Sequence, residues 1–306
     1  MSAPLEMLAI LPAAVDTPLP EGLIGVPGAG AARTQAVMAP PPGRLPTLPG
    51  ARRRHLAQAV VRRQARLESL MLLGPVLPVR PGTLMTPDQA ARAQADEVAA
   101  LSSALDEVAG RVQVQLTVDW NREAATDAFD RGPGVPLDDL AASLSQEIAD
   151  EIAPVVADAI TLPRAGTDTL YAAVLMLDQA RLWGLDAAVE RIDAIWTEGL
   201  RLRLVGPAPV ASFTMAAFAE VSAGDVQRAA AALGLAGTSP LAPDALSTAR
   251  RQALMQPGVD PAAIRDAADL LDRLSRRPGG GQAGGYMLTL LRDGPPVAGR
   301  ARMDAA

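Results

Sequence analysis

One segment with three prolines constrains this chain more than any other stretch: Gly74–Met85, with the sequence GPVLPVRPGTLM. Pro75, Pro78 and Pro81 fix the backbone dihedral φ and cannot donate a hydrogen bond to a neighbouring strand. The branched apolar residues between them favour an extended chain. We therefore expect a short strand, bent or at the edge of a sheet, that enters a turn at Gly82. The alternative is a rigid connection with no further role.

Helical patterns flank this segment on both sides. Apolar residues recur at helical spacing through residues 51–73, and arginines occupy much of the remaining surface of that helix. The arginines either form a solvated face or contact an anionic partner. After the segment, the sequence Thr86-Pro87-Asp88-Gln89 has the form of a capping box with proline at the first helical position, which predicts a helix to Ala109. The apolar positions of the first helix are Leu56, Val60, Leu67, Leu70 and Met71.

Five stretches have the character of strands. Arg111–Trp120 alternates apolar and polar residues, which is typical of a strand with one buried face. Thr169–Leu177 is apolar on both faces, which indicates a central strand. Leu200–Leu204 alternates leucine with arginine, and Gly206-Pro207-Ala208-Pro209 is expected to break that strand. The two weaker predictions are a first strand around Met7–Leu11 and a second within Arg33–Ala39.

The order of these elements predicts an α+β fold. Residues 1–122 suit a ferredoxin-like sandwich, with helices on one face of an open sheet that ends at Arg111–Trp120. Residues 121–136 are polar and predict a linker, and a second unit covers 137–221. In this unit we expect a helix that begins at Asp138 to kink or end at Pro154, and Val155–Ile160 to continue it as a short second helix. Three short helices are predicted in 222–277, within 225–235, 244–255 and 261–276. Residues 278–306 predict a glycine-rich linker, a short strand at Tyr286–Leu291 and a flexible tail.

Composition excludes several classes of function. The net charge is -6, which gives no general case for binding nucleic acid. The chain has no cysteine, and so has neither disulfides nor thiolate chemistry. No apolar run approaches the length of a membrane helix, and the N-terminal residues lack the basic region of a signal peptide. We therefore expect a cytoplasmic protein that binds neither nucleic acid nor lipid.

The residues that usually carry catalysis do not form a recognisable pattern. The single histidine, His55, lies on the arginine-rich helix with no carboxylate or serine at a useful spacing, so a structural role is favoured over a catalytic one. The chain has no nucleophile turn of the Gly-x-Ser-x-Gly type, and its paired acidic residues suit solvated helix faces better than a metal site. We therefore predict no catalytic, cofactor-binding or metal-binding residues, and a protein that works by binding.

Two separated segments resemble one protein family. A helix bearing His55, then Gly74–Thr83, a capped helix and the strand Arg111–Trp120 together resemble the gas vesicle protein family GvpL/GvpF. The later segment Gly206–Phe213, GPAPVASF, is similar to a second signature of that family. The resemblance covers about Arg52 to Phe218. It departs from the family pattern where the family usually has aromatic residues, namely at Pro81, Ala208 and Ala211.

The resemblance implies two ferredoxin-like domains, the second modified and extended by a helical part. It also implies an accessory protein without enzymatic activity, located in the cytoplasm with gas vesicles. Such a protein assists assembly by binding the small hydrophobic shell subunit, and other accessory gas vesicle proteins are further partners. The alternatives are an enzyme on a ferredoxin-like scaffold and a soluble scaffold protein that binds other accessory proteins through its C-terminal helices. The predicted partner-binding residues are Val76, Pro78, Arg80, Gly82, Thr83, Gly206, Pro207 and Phe213.

Overall fold

The computed structural model describes residues 3–13, 18–30, 32–41, 49–129, 137–164, 166–235, 243–256, 258–275 and 285–292. These residues contain eleven β-strands and nine α-helices, and each pair of named strands is antiparallel. Helices packed beside antiparallel sheets confirm the predicted α+β class. None of the described helices is both long and apolar enough to cross a lipid bilayer.

The N-terminal part forms a first sheet and the helices that cover it. Its strands run in the order β2-β3-β1-β4, and β5 also pairs with β1. β1 is central and nearly all of it is buried, because its residues after Glu6 are apolar on both faces and require cover on both. The elements are β1 (Leu5–Pro12), β2 (Ile24–Pro27), β3 (Thr34–Ala39), α1 (Pro49–Leu70), β4 (Leu77–Pro78), β5 (Leu84–Met85), α2 (Pro87–Asp96) and α3 (Val98–Val108).

Two groups of helices bury the two faces of this sheet. On one face, Leu8 and Leu11 pack in a core with Leu67 and Leu70 of α1. On the other face, α2 and α3 form the cover, and the buried side chains there include Met7, Ile10, Met38, Leu101 and Leu105. The observed β1, β3 and α1 lie where the sequence predicts a strand or a helix.

Two regions of the N-terminal part differ from the sequence prediction. One is the stretch between Pro20 and Gly50, which contains an additional strand, and the other is the helical region after Thr86, which is divided. Ile24–Pro27 forms β2 inside a glycine- and proline-rich stretch in which the sequence predicts only the strand within Arg33–Ala39. The capping box is present: Gln89 N–H donates to Thr86 Oγ1 at 3.3 Å, and Thr86 N–H donates to Gln89 Oε1 at 2.8 Å. The helix that follows is two helices, because the backbone of Glu97 leaves the helical region.

The middle of the chain forms a second sheet with the strand order β7-β8-β6-β9. Helices α5 and α6 cover one face, and the core there contains the even-numbered residues of β6 from Val112 to Trp120. The elements are β6 (Arg111–Trp120), α4 (Arg122–Ala128), α5 (Leu137–Ile152), β7 (Asp158–Thr161), β8 (Thr169–Asp178), α6 (Leu182–Ile195) and β9 (Leu200–Ala208).

Three predictions about this region are wrong. β6 was expected to end the first sheet, whereas it lies between β8 and β9 in the second sheet. Its alternating pattern predicts a strand but does not specify its neighbours. Residues 158–161 form β7 instead of a helix, since a short apolar run after Pro154 suits either state, and part of the predicted linker forms α4. The four domain ranges remain a prediction.

The C-terminal part places three helices between two paired strands. β10 and β11 pair antiparallel along their whole length, from Thr214 opposite Arg292 to Val221 opposite Gly285. The helices share a core of their own, built largely from alanine and leucine. The elements are β10 (Thr214–Val221), α7 (Ala223–Ala232), α8 (Pro243–Leu254), α9 (Pro261–Ser275) and β11 (Gly285–Arg292). The predicted linker at 278–284 and the tail at 293–306 lie outside the described residues.

One core joins the two sheets and the β10–β11 pair. Ile160, Val174 and Met176 of the second sheet lie in the same buried cluster as α2, α3 and the first sheet. Tyr286 and Leu288 of β11 complete this cluster. The backbone N–H of Tyr286 donates to Asp96 Oδ2 and that of Leu288 to Glu97 Oε1, both at 3.2 Å. β11 is therefore hydrogen-bonded to the last residue of α2 and to the residue that separates α2 from α3.

Candidate functional site

The two signature segments predicted from the sequence meet in space. Val79 of the first segment bridges to Ala216, just beyond the second, in a parallel arrangement, and Arg80 N–H donates to the Ala216 carbonyl at 2.7 Å. Leu77 and Val79 share one buried cluster with Val210 and Phe213. We call this contact region, Gly74–Met85 together with Gly206–Ala216, the junction.

Backbone hydrogen bonds hold the first segment against β1. Val79 N–H donates to the Leu8 carbonyl and Met7 N–H to the Thr83 carbonyl, each at 2.9 Å. Pro78 is tolerated because it lies in a two-residue strand at the edge of the sheet, where no N–H is required of it. The prediction of a short edge strand is therefore confirmed for this segment.

A turn follows this edge strand and faces the solvent. Gly82 has a φ of +80°, a conformation that favours glycine, and Thr83 closes the turn by donating its hydroxyl to the Arg80 carbonyl at 2.7 Å. Arg80, Pro81 and Gly82 are exposed, and Leu84 is 51% exposed. We call Arg80–Leu84 the exposed turn.

A largely buried ion pair supports the junction. Arg63 of α1 donates to Glu6 Oε1 at 2.6 Å and to the Leu8 carbonyl at 3.2 Å, and it also donates to the Val79 carbonyl. The backbone N–H of Gly82 donates to the same Glu6 oxygen at 3.2 Å. The pair thus joins α1, β1, the end of β4 and the exposed turn.

The guanidinium of this pair remains charged. Burial lowers the pKa of Arg63 from the ordinary value of arginine, while the charge of Glu6 and its hydrogen bond raise it. Arginine keeps its proton at physiological pH even when its pKa falls. Sequence reasoning did not single out Glu6, although a lone carboxylate in the apolar run LEMLAIL was a signal for a buried charge that needs a partner.

The second segment enters the junction from the end of β9. β9 continues to Ala208, so the predicted break at Gly206 is wrong, although Gly206 and Pro207 distort the strand there. Gly206 has a φ of +138°, and a Cβ atom on it would lie 2.8 Å from the Gln113 carbonyl oxygen. The Gly206–Pro207 peptide is cis. Ser212 N–H donates to Gln113 Oε1 at 2.8 Å and anchors the residues that follow.

The eight predicted partner-binding residues divide by exposure. Val76, Pro78 and Phe213 are buried, so their side chains shape the junction from inside. Thr83 is half-buried, and the other four are exposed: Arg80, Gly82, Gly206 and Pro207. A small cleft of about 160 Å³ lies at the junction, where Gly74, Pro75 and Val76 of the first segment face Pro209 of the second.

A larger open cleft of about 580 Å³ lies at one end of the second sheet. Three carboxylates line it together with two arginines, and Thr169 donates its hydroxyl to Asp119 Oδ1 at 2.7 Å. Arg122 is oriented toward Asp138 at 3.5 Å. Among the described residues, no three or more acidic or histidine side chains are arranged so that they could hold a metal ion. The charged residues of the cleft are Asp119, Arg122, Glu123, Asp168 and Arg201.

His55 is half-buried near the N-terminal end of α1. Its Nε2 atom is buried, and it has no hydrogen-bond partner within the part of the chain that the structure describes. The sequence interpretation of a structural histidine remains a prediction.

Comparison with known proteins places both signature segments in one family match. The family model described as "Gas vesicle synthesis protein GvpL/GvpF" matches residues 36–132 and 136–215, which is more than half of the chain. The match includes both Gly74–Met85 and Gly206–Phe213. No curated protein matches the chain.

Two solved structures are similar to this chain. The crystal structure of the gas vesicle protein GvpF from Anabaena sp. PCC7120 has a TM-score of 0.50 and 20% sequence identity, and the alignment covers 68% of this chain and 94% of that one. The crystal structure of GvpF from Microcystis aeruginosa has a TM-score of 0.45 and 16% identity, with 68% and 97% covered. At these identities the likeness to the Anabaena protein concerns the fold.

Proposed function

The chain belongs to the gas vesicle synthesis protein family GvpL/GvpF, and we propose that it is an accessory protein that assists assembly of the gas vesicle shell by binding the shell subunit. The observation that carries the proposal is the junction, where two signature segments that are far apart in sequence form one supported structure. A binding protein needs such a rigid base, because a surface that is already ordered loses less entropy when a partner docks.

The exposed turn is the proposed contact surface of the junction. It presents a cation at Arg80 and an aliphatic side chain at Leu84, while Glu6 and Arg63 hold its backbone from below. Gly206 and Pro207 add a second exposed part on the distorted strand β9. The buried Val76, Pro78 and Phe213 contribute shape to this surface.

The physical role that suits this surface is protection of an unassembled subunit. A small hydrophobic shell protein exposes apolar surface before it is assembled, and such surface aggregates unless it is covered. An accessory protein can cover it by strand addition or by docking of a helix. Location at gas vesicles in the cytoplasm, and contact with other accessory gas vesicle proteins, belong to the same proposal.

Two features of the fold support the proposal of two ferredoxin-like units with an added helical part, with β6 assigned to the second unit and not to residues 1–122. Apart from the short helix α4, the second sheet and its helices have the order β6-α5-β7-β8-α6-β9, which is the β-α-β-β-α-β order of a ferredoxin-like unit. The helices α7–α9 follow it as the proposed added part. The first sheet, with strand order β2-β3-β1-β4, is proposed as the other unit.

The alternatives rest on other surfaces. An enzyme would use the open cleft near Asp119, where carboxylates and arginines converge. We favour binding over catalysis because both signature segments lie at the junction and not at that cleft. A scaffold protein would bind its partners through α7–α9, where Leu254 and Met255 are exposed.

Co-expression with the shell subunit and a pull-down test the proposal. We expect the full chain to retain the subunit, and Arg80→Glu and Leu84→Asp in the exposed turn to reduce the retained amount about tenfold. Leu254→Asp on α8 is the matched control, because Leu254 is 43% exposed and Leu84 is 51% exposed.

The outcomes separate the hypotheses. Retention that the turn variants lose and the α8 variant keeps supports the proposed surface. Loss with Leu254→Asp alone would contradict the exposed turn as the contact surface and place the contact with the shell subunit on the C-terminal helices. Failure of the wild-type chain to retain the subunit contradicts the proposed function itself.

A further inference from the structure

The last strand of the second sheet has an edge without a partner strand among the described residues. β9 pairs with β6 on one side and ends the strand order β7-β8-β6-β9. Residues Leu200–Val205 pair with β6 in regular register before the strand is distorted at Gly206. Alternate residues of such a strand direct their N–H and C=O groups away from the neighbouring strand, so this edge presents backbone donors and acceptors. Helix α1 approaches β9, yet Arg203, Leu204 and Val205 are exposed.

The two faces of β9 differ in character. Leu202 and Leu204 lie on the side that α5 and α6 cover, because the residues opposite them in β6 belong to the core there. Arg201 and Arg203 alternate with these leucines and therefore lie on the opposite side of the sheet. Both arginines are exposed, and Leu204 is 41% exposed. The edge thus offers apolar side chains on one face and cations on the other.

The neighbouring strand does not balance the charge of this edge. Arg203 lies opposite Thr117, which is uncharged, and it makes no ion pair within the part of the chain that the structure describes. Arg201 lies opposite Asp119, whose carboxylate accepts a hydrogen bond from the Thr169 hydroxyl. Opposite charges stabilise neighbouring strands when they face each other, and like charges destabilise them. The edge therefore favours an added strand that places a carboxylate opposite Arg203.

We propose that Leu200–Val205 is a strand-addition site for a partner segment in which acidic and apolar residues alternate. The carboxylates of such a segment lie on the arginine face, and its apolar residues extend the row formed by Leu202 and Leu204. The period of two keeps both faces matched along the strand. The distortion at Gly206 and Pro207 marks the end of the site.

The arginines also determine which strands are excluded. A second copy of β9, paired antiparallel at this edge, brings the arginines of the two strands together on one face, where they repel each other. A basic or uncharged segment lacks the carboxylate that Arg203 requires. The charge that protects the edge from indiscriminate pairing thus makes it selective for an acidic strand.

This site is separate from the exposed turn and goes beyond the proposed function. It lies on the second sheet, whereas the turn follows β4, and only Gly206 and Pro207 at its end belong to the contact surface proposed above. The inference concerns the chemistry of a partner segment. Designed peptides test it without the shell subunit, so its failure would leave the proposed binding of that subunit unchanged.

Fluorescence anisotropy measures the binding of labelled peptides to the full chain. The probe is a peptide of about seven residues in which glutamate alternates with valine, and the comparison peptide carries lysine in place of glutamate. We expect the glutamate peptide to bind with an affinity that falls as salt increases. The lysine peptide should bind at least about tenfold more weakly.

Methylation of the peptide backbone distinguishes strand addition from simple charge attraction. One variant of the glutamate peptide is methylated at its valine nitrogens and another at its glutamate nitrogens, so the two have the same side chains. Only one of these sets of N–H groups faces β9, because alternate residues of a strand direct their backbone groups to opposite edges. We expect one methylated peptide to lose at least about tenfold in affinity relative to the other.

A charge reversal on β9 tests the assigned cation. Arg203→Glu should weaken binding of the glutamate peptide about tenfold and should strengthen binding of the lysine peptide. Arg62→Glu on α1 is the matched control, because Arg62 is also exposed, and it should change either affinity less than about twofold. Both positions are exposed, so circular dichroism should show both variants folded.

Several results would overturn the inference. These are no binding of the glutamate peptide, equal binding of the lysine peptide, equal affinities of the two methylated peptides, or equal loss with Arg203→Glu and Arg62→Glu. A wild-type dimer that Leu204→Asp converts to a monomer would assign the edge to a second copy of the chain instead.

Discussion

The two signature segments each contain part of an edge strand, and the two edge strands are protected from pairing with other strands in different ways. β4, in the first segment, is buried: Arg63 binds the adjacent Val79 carbonyl, and β10 bridges to the same residue. β9, which leads into the second segment, is exposed from Arg203 to Pro207, with Leu204 at 41% and Val205 at 57%. One edge is closed by tertiary contacts, and the other faces solvent.

The difference shows that an unpaired edge can be protected by contacts or by local chemistry. An exposed edge strand attracts other strands unless charge, proline or a distortion interferes. β9 has all three, in Arg201 and Arg203, in Pro207, and in the positive φ of Gly206. β4 is only two residues long, and the contacts that Arg63 and Ala216 make with the adjacent Val79 fix the position of the exposed turn that follows. Substitutions at the buried edge should therefore lower the free energy of unfolding much more than substitutions at the exposed edge.

The largest expected effect comes from removing the cation at the closed edge. Arg63→Met leaves the Glu6 carboxylate, whose side chain is 10% exposed, without its partner, and we expect the free energy of unfolding to fall by about 3–5 kcal/mol. Urea unfolding measures this loss. Arg62→Met, an exposed neighbour, should change stability by less than about 0.5 kcal/mol. Adding Glu6→Gln to Arg63→Met should recover part of the loss, and no recovery would argue against the ion pair as its cause.

A leucine truncation at each edge compares their packing directly. Leu77 is completely buried in β4, and Leu77→Ala should cost about 2–5 kcal/mol through lost burial and a cavity. Leu204 in β9 is 41% exposed, and Leu204→Ala should cost about 1 kcal/mol or less. The midpoints of thermal unfolding provide the comparison. Similar losses for the two variants would mean that the edges are equally buried in solution.

Glycine substitutions separate crowding from backbone conformation. Both Gly206 and Gly82 have a positive φ, but a Cβ atom on Gly206 would meet the Gln113 carbonyl, whereas one on Gly82 would have open space. We expect Gly206→Ala to cost about 2–3 kcal/mol and Gly82→Ala about 1 kcal/mol, measured by urea unfolding. An equal cost at both positions would show that the backbone angle dominates and that the contact with Gln113 relaxes.

The smallest effect concerns the end of β10, the strand that closes the first edge. Ser222 caps α7 directly after β10, its hydroxyl accepts from Asp225 N–H, and Ser222→Ala should cost about 1 kcal/mol. Hydrogen bonds from the Ser222 side chain and backbone hold the pKa of Asp225 below its ordinary value. Because the folded state favours the ionised form, the associated stabilisation is present above the unfolded pKa and is lost as pH falls through the folded pKa.

Thermal unfolding of Ser222→Ala at neutral and acidic pH checks this sign. The wild-type chain should lose more stability than the variant when the pH falls below about 4. Asp225→Asn at neutral pH should reproduce much of the loss seen with the capping variant. A variant that is as acid-sensitive as the wild-type chain would contradict the assigned role of Ser222.

Local features of the fold could be predicted because their causes lie within a few residues. The capping box at Thr86 depends on a residue three positions away, and the alternation in Arg111–Trp120 is a local pattern. The stripe of α1 was predicted for the same reason. Its burial was not, since Leu56 and Val60 have the spacing of Leu67 and Leu70 but lie beyond the edge of the sheet.

Features that depend on distant partners were missed. The sequence placed β6 in the wrong sheet, because its alternating pattern suits a strand in either sheet. Its partner β8 begins about fifty residues later, so no local signal identifies the pairing. The ion pair was missed because Glu6 and Arg63 are far apart in the sequence, and no local pattern connects them. The two signature segments were recognised separately, but nothing in their spacing predicted the bridge from Val79 to Ala216.

The sequence by itself therefore determined many of the helices and strands, the edge character of Gly74–Met85, and the family resemblance of the two segments. Periodicity, proline geometry and capping act between neighbouring residues, so they can be read along the chain. Only the tertiary structure decided that β4 is closed, that β9 and the side chains of Leu56 and Val60 are exposed, and that the two segments form one junction. Burial and pairing depend on which surfaces meet, and that is decided by the packing of the whole chain.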